Sequence, residues 1–210
     1  MGNHKWIEGN YTMAEEKIAI SDYDEILLAI SAEVIYQQIS QEEPFLQVQI
    51  DENLLSCLDI SVRDKQLIIR QKTDSTINPS QFKIYTNSRN LSKIQLSGAG
   101  SVVLEKAVNA QNMEIRLSGS GNVQADSLYC ENLQVKLSGS GNTGLKGAAT
   151  RADFYVSGSG TIDAPKFLVQ YLDCKVSGSG NIDAYATEEI KTTVTGSGRI
   201  RHTGDAKIVK

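Results

Sequence analysis

From Leu91 onward, apolar and polar positions alternate over short runs, and the runs recur. Every second residue of one run gives Ile115, Leu117, Gly119, Gly121, Val123, Ala125. Later runs give Phe154, Val156, Gly158, Gly160, Ile162, Ala164, then Cys174, Val176, Gly178, Gly180, Ile182, Ala184. The intervening positions hold Arg, Ser, Asn and similar residues. A period of two sends successive side chains to opposite faces of a strand, so each run predicts a strand arm with one buried and one solvated face.

One motif marks every run: Leu96-Ser-Gly-Ala-Gly100, Leu117-Ser-Gly-Ser-Gly121, Leu137-Ser-Gly-Ser-Gly141, Val156-Ser-Gly-Ser-Gly160, Val176-Ser-Gly-Ser-Gly180 and Val194-Thr-Gly-Ser-Gly198. The starts lie 21, 20, 19, 20 and 18 residues apart. This near-constant period predicts an all-β solenoid with turns of about 20 residues, each stacked on the last. The glycines are expected to permit the bends, and to leave inward room for bulky neighbours such as Phe154. Stacked turns lie about 4.8 Å apart. Ser118, Ser138, Ser157, Ser177 and Thr195 should then form one outward hydroxyl ladder, with Ser97 beginning it. Ser120, Ser140, Ser159, Ser179 and Ser197 should form a second, and Asn122, Asn142 and Asn181 part of a third.

The chain before Leu91 is strand-rich but not repetitive. Residues 1–17 are polar and read as a flexible segment. A single solenoid domain is expected over 18–210, non-repetitive through 90 and repetitive from 91. Ile26–Ile30 and Val34–Ile39 read as a strand pair, and Phe45–Ile50 alternates as a half-buried strand. Asp51–Leu58 has leucines at helical spacing and Asp51 as candidate cap. Ile60–Val62 and Gln66–Arg70 flank Arg63-Asp-Lys65 as a hairpin, and Phe82–Thr86 is a further strand. Trp6, Tyr11 and Tyr23 are candidates to cap the open edge of the first turn.

Composition narrows the partners. The formal net charge is -4 and no basic stripe is present, which argues against nucleic acid. No stretch approaches the about 18 apolar residues of a membrane helix. Met1–Gly9 lacks the apolar region of a signal peptide, leaving either a cytoplasmic protein or one whose export signal is absent from this chain. Cys57, Cys130 and Cys174 match no zinc spacing, and no metal or cofactor is predicted. Cys174 shares its offset with Ile94, Ile115, Val135, Phe154 and Thr192, and reads as a small core hydrophobe. Cys130 lies at another offset, so the thiols are expected to be free. His4 and His202 lie near opposite ends of the chain and read as surface residues.

Two candidate chemistries remain. The ladder residues Ser118, Ser120, Asn122, Ser138, Ser140, Asn142, Ser157, Ser159, Ser177, Ser179 and Asn181 offer a flat array of hydroxyls and amides suited to sugars. Small polar residues are also what a tightly stacked exposed corner tolerates. Asp163 and Asp183 share one offset and should stack on adjacent turns, as an acid/base pair or a cation site would require. Asp is equally common in solvated turns. The Ser-Gly-Ser-Gly spacing fits neither a nucleophile elbow nor a phosphate loop.

The chain resembles the bacterial auto-transporter adhesin, head GIN domain family, otherwise of unknown function. The residues that carry this are Ile30-Ser-Ala-Glu-Val34, Gln47-Val-Gln-Ile-Asp-Glu-Asn-Leu-Leu55, Ile60-Ser-Val-Arg-Asp-Lys-Gln-Leu-Ile-Ile-Arg70 and the Leu-Ser-Gly-Ser-Gly-Asn repeats. Family members often have Gly where Ala32 stands. The resemblance implies a right-handed parallel β-helix exported to the periplasm, outer membrane or cell surface of a Gram-negative bacterium. It brings no catalytic residues. The expected function is a non-enzymatic envelope or surface protein that binds a glycan, lipid or protein through its elongated face. The alternatives are a polysaccharide-active enzyme using Asp163 and Asp183, and a structural spacer that self-associates through its ends or edges.

Overall fold

The computed structural model describes residues 5–73 and 75–210. In chain order the strands are β1 (Lys5–Glu8), β2 (Met13–Lys17), β3 (Glu25–Leu28), β4 (Glu33–Gln38) and β5 (Phe45–Asp51). A 3-10 helix (Glu52–Cys57) leads to β6 (Leu58–Arg63), β7 (Gln66–Gln71), β8 (Ser75–Asn78), β9 (Phe82–Ser88), β10 (Lys93–Leu96) and β11 (Ser101–Leu104). Then come the long strands β12 (Val108–Leu117), β13 (Asn122–Leu137), β14 (Asn142–Val156), β15 (Thr161–Val176) and β16 (Asn181–Val194). β17 (Arg199–Thr203) and β18 (Lys207–Ile208) finish the stack. A β-solenoid with turns of about 20 residues results, as the repeat period predicts.

Each motif turn has three sides. β13 and β14 pair in parallel over three stretches: Asn122–Ala125 with residues 142–145, Leu128–Cys130 with 147–149, and Asn132–Leu137 with 151–156. We call the side before the motif side A, the one after it side B, and the short one between them side C. The predicted column of inward residues is continuous on side A: Ile94, Ile115, Val135, Phe154, Cys174 and Thr192 are in register. Ile94 through Cys174 are fully buried, and burial of side chains of this size stabilises by about 1.5–3 kcal/mol for the larger ones.

The N-terminal strands belong to the same sheet. The side A column runs on from Ile94 through Ile26 to Leu67, and side B runs from β11 through β4 to β9. Chain order and stacking order differ here. The level made by β3 and β4 lies between the one made by β7 and β9 and the one made by β10 and β11. β3 and β4 are therefore not paired with each other, contrary to the expected strand pair; they are successive sides of one turn. The Arg63–Gln66 hairpin forms as expected, with Asp64 and Lys65 at φ 49° and 60°, the left-handed values of a two-residue turn that matches strand twist.

The N-terminal end is closed. Antiparallel β5 covers β9, β2 covers β5, and antiparallel β6 covers β7. β1 pairs β8 in a separate two-stranded sheet, so strands occur within the segment expected to be flexible. Trp6 and Tyr11 are 64% and 84% exposed and do not cap the edge; Tyr23 alone of the three is buried. The expected helix is a 3-10 helix, and Asp51 makes no capping bond to it. Its buried carboxylate accepts the N–H groups of Tyr11 and Ser80, each at 2.8 Å, and the Ser80 hydroxyl at 2.7 Å. Leu54 and Cys57 turn inward from the short helix into the core.

The glycines answer a steric demand different from the one expected. A Cβ on Gly178 would lie 2.5 Å from the Gly158 carbonyl oxygen and 2.7 Å from that of Ser157. The space beside the corner is thus filled by the backbone of the preceding turn, not left for Phe154. Gly119, Gly139 and Gly158 meet the same obstacle in their own turns. Only a residue without Cβ lets the corners nest at strand spacing.

Candidate functional site

Outward residues on side A stand in columns, one residue per turn. One column is Asn112, Asn132, Arg151, Tyr171 and Glu189. The next is Glu25, Lys93, Glu114, Gln134, Asp153, Asp173 and Lys191. These columns line a groove of about 800 Å³ along the stack. The Asn132 amide donates to Asn112 Oδ1 at 2.9 Å, and the Arg151 guanidinium lies 4.5 Å from the centre of the Tyr171 ring.

Charge is distributed unevenly along the groove. Glu114 is compensated by Lys93 at 3.9 Å and by Arg116. Asp153 and Asp173 stack as register partners and form no ion pair among the described residues. Partial burial, and next the neighbouring Asp173 carboxylate, push the Asp153 carboxyl upward, while Lys136 pulls it down. The sequence reading missed this pair. The signal was present: Asp153 and Asp173 each lie three residues before the motif valines Val156 and Val176.

The predicted ladders sit at the adjoining corner. The hydroxyls of Ser118, Ser138 and Ser157 donate to the carbonyls of Leu96, Leu117 and Leu137 in the preceding turn, at 3.3 to 3.4 Å. The Ser177 hydroxyl is 3.2 Å from that of Tyr155. The ladder therefore bonds down the stack through backbone rather than hydroxyl to hydroxyl. With Arg116, Lys136 and Tyr155 its first members line a recess of about 280 Å³ beside the groove. Ser120, Ser140, Ser159 and Ser179 are exposed, and their hydroxyls make no hydrogen bond among the described residues. Asn122, Asn142 and Asn181 are also exposed, and the Asn142 amide donates to Asn122 Oδ1 at 3.4 Å. Thr161 fills the gap between Asn142 and Asn181 in that column.

Asp163 and Asp183 do stack in register, on side B. Arg201 follows Asp183 in the same column. The recess there, about 370 Å³, takes in Asp183 and Arg201 but not Asp163. His202 lies on β17, and His4 falls outside the described residues. All three cysteines are free, and no cluster of metal-ligating side chains occurs among the described residues. Among the described residues, no helix is long and apolar enough to cross a membrane.

The family model described as "Putative auto-transporter adhesin, head GIN domain" matches residues 22–206. The chain belongs to this family. A crystal structure described as a putative lipid binding protein from Parabacteroides distasonis is 34% identical, with a TM-score of 0.84, over 98% of this chain and 95% of that one. A second Parabacteroides distasonis structure, described as a putative adhesin, is 27% identical, with a TM-score of 0.80, over 98% and 95%. One from Bacteroides fragilis, also described as a putative adhesin, is 24% identical over 97% of this chain and all of that one. Its TM-score of 0.86 shows the shared fold. No match is found among curated proteins. Where family and fold are concerned, the resemblance drawn from the sequence holds.

Proposed function

We propose that this chain is a non-enzymatic recognition protein of the bacterial cell envelope that binds a glycan across side A. One observation carries the reading: the groove of about 800 Å³ combines an Arg151–Tyr171 stack, an amide pair and two stacked carboxylates on one face of the solenoid. Sugars are recognised by such a mixture, since hydroxyls take planar amide and carboxylate partners while C–H faces pack on aromatic rings. The corner hydroxyls extend the same surface by one column. An elongated ligand suits residues that repeat with the turn. The descriptions of similar proteins as adhesins support a binding role and an envelope location.

A lipid is the second reading, favoured by a different observation. On side C, Tyr129 and Leu168 are 47% and 48% exposed and share a column with small Ala148 between them. The resulting notch, about 340 Å³, has no charged residue in its lining. A relative 34% identical is described as lipid binding. The enzyme reading is weaker, because Asp163 stands outside the recess that holds Asp183.

Binding of the purified chain to glycan and lipid arrays tests these readings, with three variants run alongside. Arg151→Ala/Asp173→Asn is expected to remove the glycan signal, and Ser120→Ala/Ser140→Ala to weaken it less. Glycan binding that survives the groove variant unchanged sinks the proposal. A lipid signal lost in Leu168→Ser puts the second reading first.

A further inference from the structure

Residues 5–17 form a strap across the closed end of the stack. β1 pairs β8 over four residues, and β2 pairs the outer edge of β5 over five. Ile7 and Ala14 are the only half-buried apolar side chains of the strap, whereas Leu46, Val48 and Ile50 of β5 are buried. With so little apolar burial, the strap depends on its polar contacts. Those contacts end on carboxylates. The Tyr11 N–H donates to the buried Asp51 at 2.8 Å, the Asn10 amide to Glu52 at 3.1 Å, and the Asn78 amide to Glu8 at 2.8 Å. Gln47 and Gln49 donate to Glu15 at 3.1 and 2.9 Å. No ion pair joins the strap to the rest of the chain among the described residues.

Asp51 is the centre of this latch. Gly9 lies so close upon it that a Cβ there would sit 2.4 Å from the carboxylate. The Ser80 N–H and hydroxyl hold the same carboxylate from the body of the fold. Tyr11 is kept at φ 61°, a left-handed value that strains a side chain of this size. A strained residue is thus pinned to a group that titrates. The charged groups around the latch are Lys5, Glu8, Glu15, Glu16 and Lys17 on the strap, Glu52 on the short helix and Lys83 on β9. Lys83 turns to Glu33 at 3.9 Å, and the Lys17 ammonium rests 5.5 Å from the centre of the Phe45 ring. We propose that the strap is acid-released: protonation of Asp51 and its neighbouring acceptors frees residues 5–17 as a unit, while the stack beneath stays folded and the backbone edge of β5 is uncovered. Burial acts to raise the Asp51 carboxyl, but the bonds from Ser80 and Tyr11 outweigh it and lower it; Trp6 and Asn78 hold the Glu8 carboxyl below its usual value. Both protons are therefore bound less tightly with the strap in place. The latch is at full strength above about pH 4 and weakens as pH falls through the lowered values.

Trp6, the only tryptophan of the chain, reports the strap, and the buried Tyr36 ring reports the stack beneath it. An acid titration of the full chain follows Trp6 fluorescence anisotropy, amide exchange of Met13–Lys17 and the Tyr36 ring resonances. Below about pH 4 the anisotropy should fall and the strap amides should lose protection by at least about tenfold, before the Tyr36 signals change. Asp51→Asn turns an amide NH2 toward donors that the carboxylate accepts, and should bring the same tenfold loss to the strap at neutral pH. Asn10→Ala, at an exposed site, removes the tie to Glu52 and the bond that Asn10 Oδ1 accepts from the Thr12 N–H. It should move release to higher pH by several tenths of a unit and leave Tyr36 unchanged. The proposal is overturned if Trp6 and Tyr36 report one common transition, or if the strap stays ordered throughout the acid range. It is overturned equally if Asp51→Asn folds and keeps full strap protection at neutral pH, or if Asn10→Ala releases the strap at the native pH.

Discussion

The repeated turns and the N-terminal levels belong to one sheet but are held by different means. In the repeats, each turn meets a near-copy of itself. Gly nests on Gly, Ser donates to the carbonyl below, and Leu or Val stacks on Leu or Val. In the N-terminal levels almost nothing repeats, and particular polar partners do the holding. The buried Tyr23 hydroxyl meets Thr86 at 2.5 Å and that of Tyr36 meets Ser88 at 2.7 Å, with the two rings edge to face at 6.4 Å. Burial pushes the Tyr36 phenol up to about 12, so it stays neutral throughout the ordinary range. Asp51 ties three segments together. The lesson is that a stack can propagate by similarity but must be started by specificity.

Breaking the similarity should cost most. Gly178→Val forces a Cβ against two carbonyls of the turn below, and we expect a loss of about 4 kcal/mol or more, read as a collapse of the urea midpoint. An unchanged midpoint would show that adjacent turns part freely, and the nesting argument would fail.

Breaking the specificity should cost somewhat less. Asp51→Ala strands the N–H groups of Tyr11 and Ser80, a loss of about 3 kcal/mol. The native carboxyl is also pH-sensitive. Burial acts to raise it, but the Ser80 hydroxyl and the Tyr11 and Ser80 N–H groups outweigh this and lower it below its usual value. Its proton is therefore held less tightly in the folded chain than in the unfolded one. The stability it contributes is present above about pH 4 and drains away as pH falls through the lowered native value. Midpoints measured from neutral to acid pH should fall for the native chain and change less for Asp51→Ala.

The repeats carry one internal flaw. Thr143 occupies a column otherwise filled by Val102, Val123, Ile162 and Ile182, and its buried hydroxyl has no hydrogen-bond partner among the described residues. Thr143→Val should stabilise by about 1 kcal/mol. A loss instead would mean that water or an undetected bond serves the hydroxyl. The smallest effect is expected at the groove. Asp153 holds its proton more tightly when folded, so its ionisation works against stability as pH rises. Asp153→Asn should gain under about 0.5 kcal/mol at neutral pH, because water screens an exposed pair, and nothing in strong acid.

The repeats were legible because a period of two and a period near twenty both write themselves into the chain. Cys174 could be placed in a column with Phe154 by counting alone. The N-terminal order was not legible. β3 meets β7 across some forty residues with no shared motif, and nothing in Gln66–Gln71 announces that it stacks under Glu25–Leu28. Asp51 looked like a cap because Asp before a leucine-rich run usually is one. Its partners, Tyr11 and Ser80, are distant in sequence and close only once β2 and β9 flank β5. The groove lay between these cases. Its columns follow from the repeat, but the Arg151–Tyr171 stack needed the register to be seen as a surface.

Turns that meet through like residues also make length a free variable. Excising residues 122–141 would join Gly121 directly to Asn142, which is the junction Gly141 already makes. The shortened chain should keep its closed N-terminal platform and lose one strand spacing, about 4.8 Å. The molecule is in this sense a ruler with one fixed end, whose reach is set by how many times a single sentence of sequence is repeated.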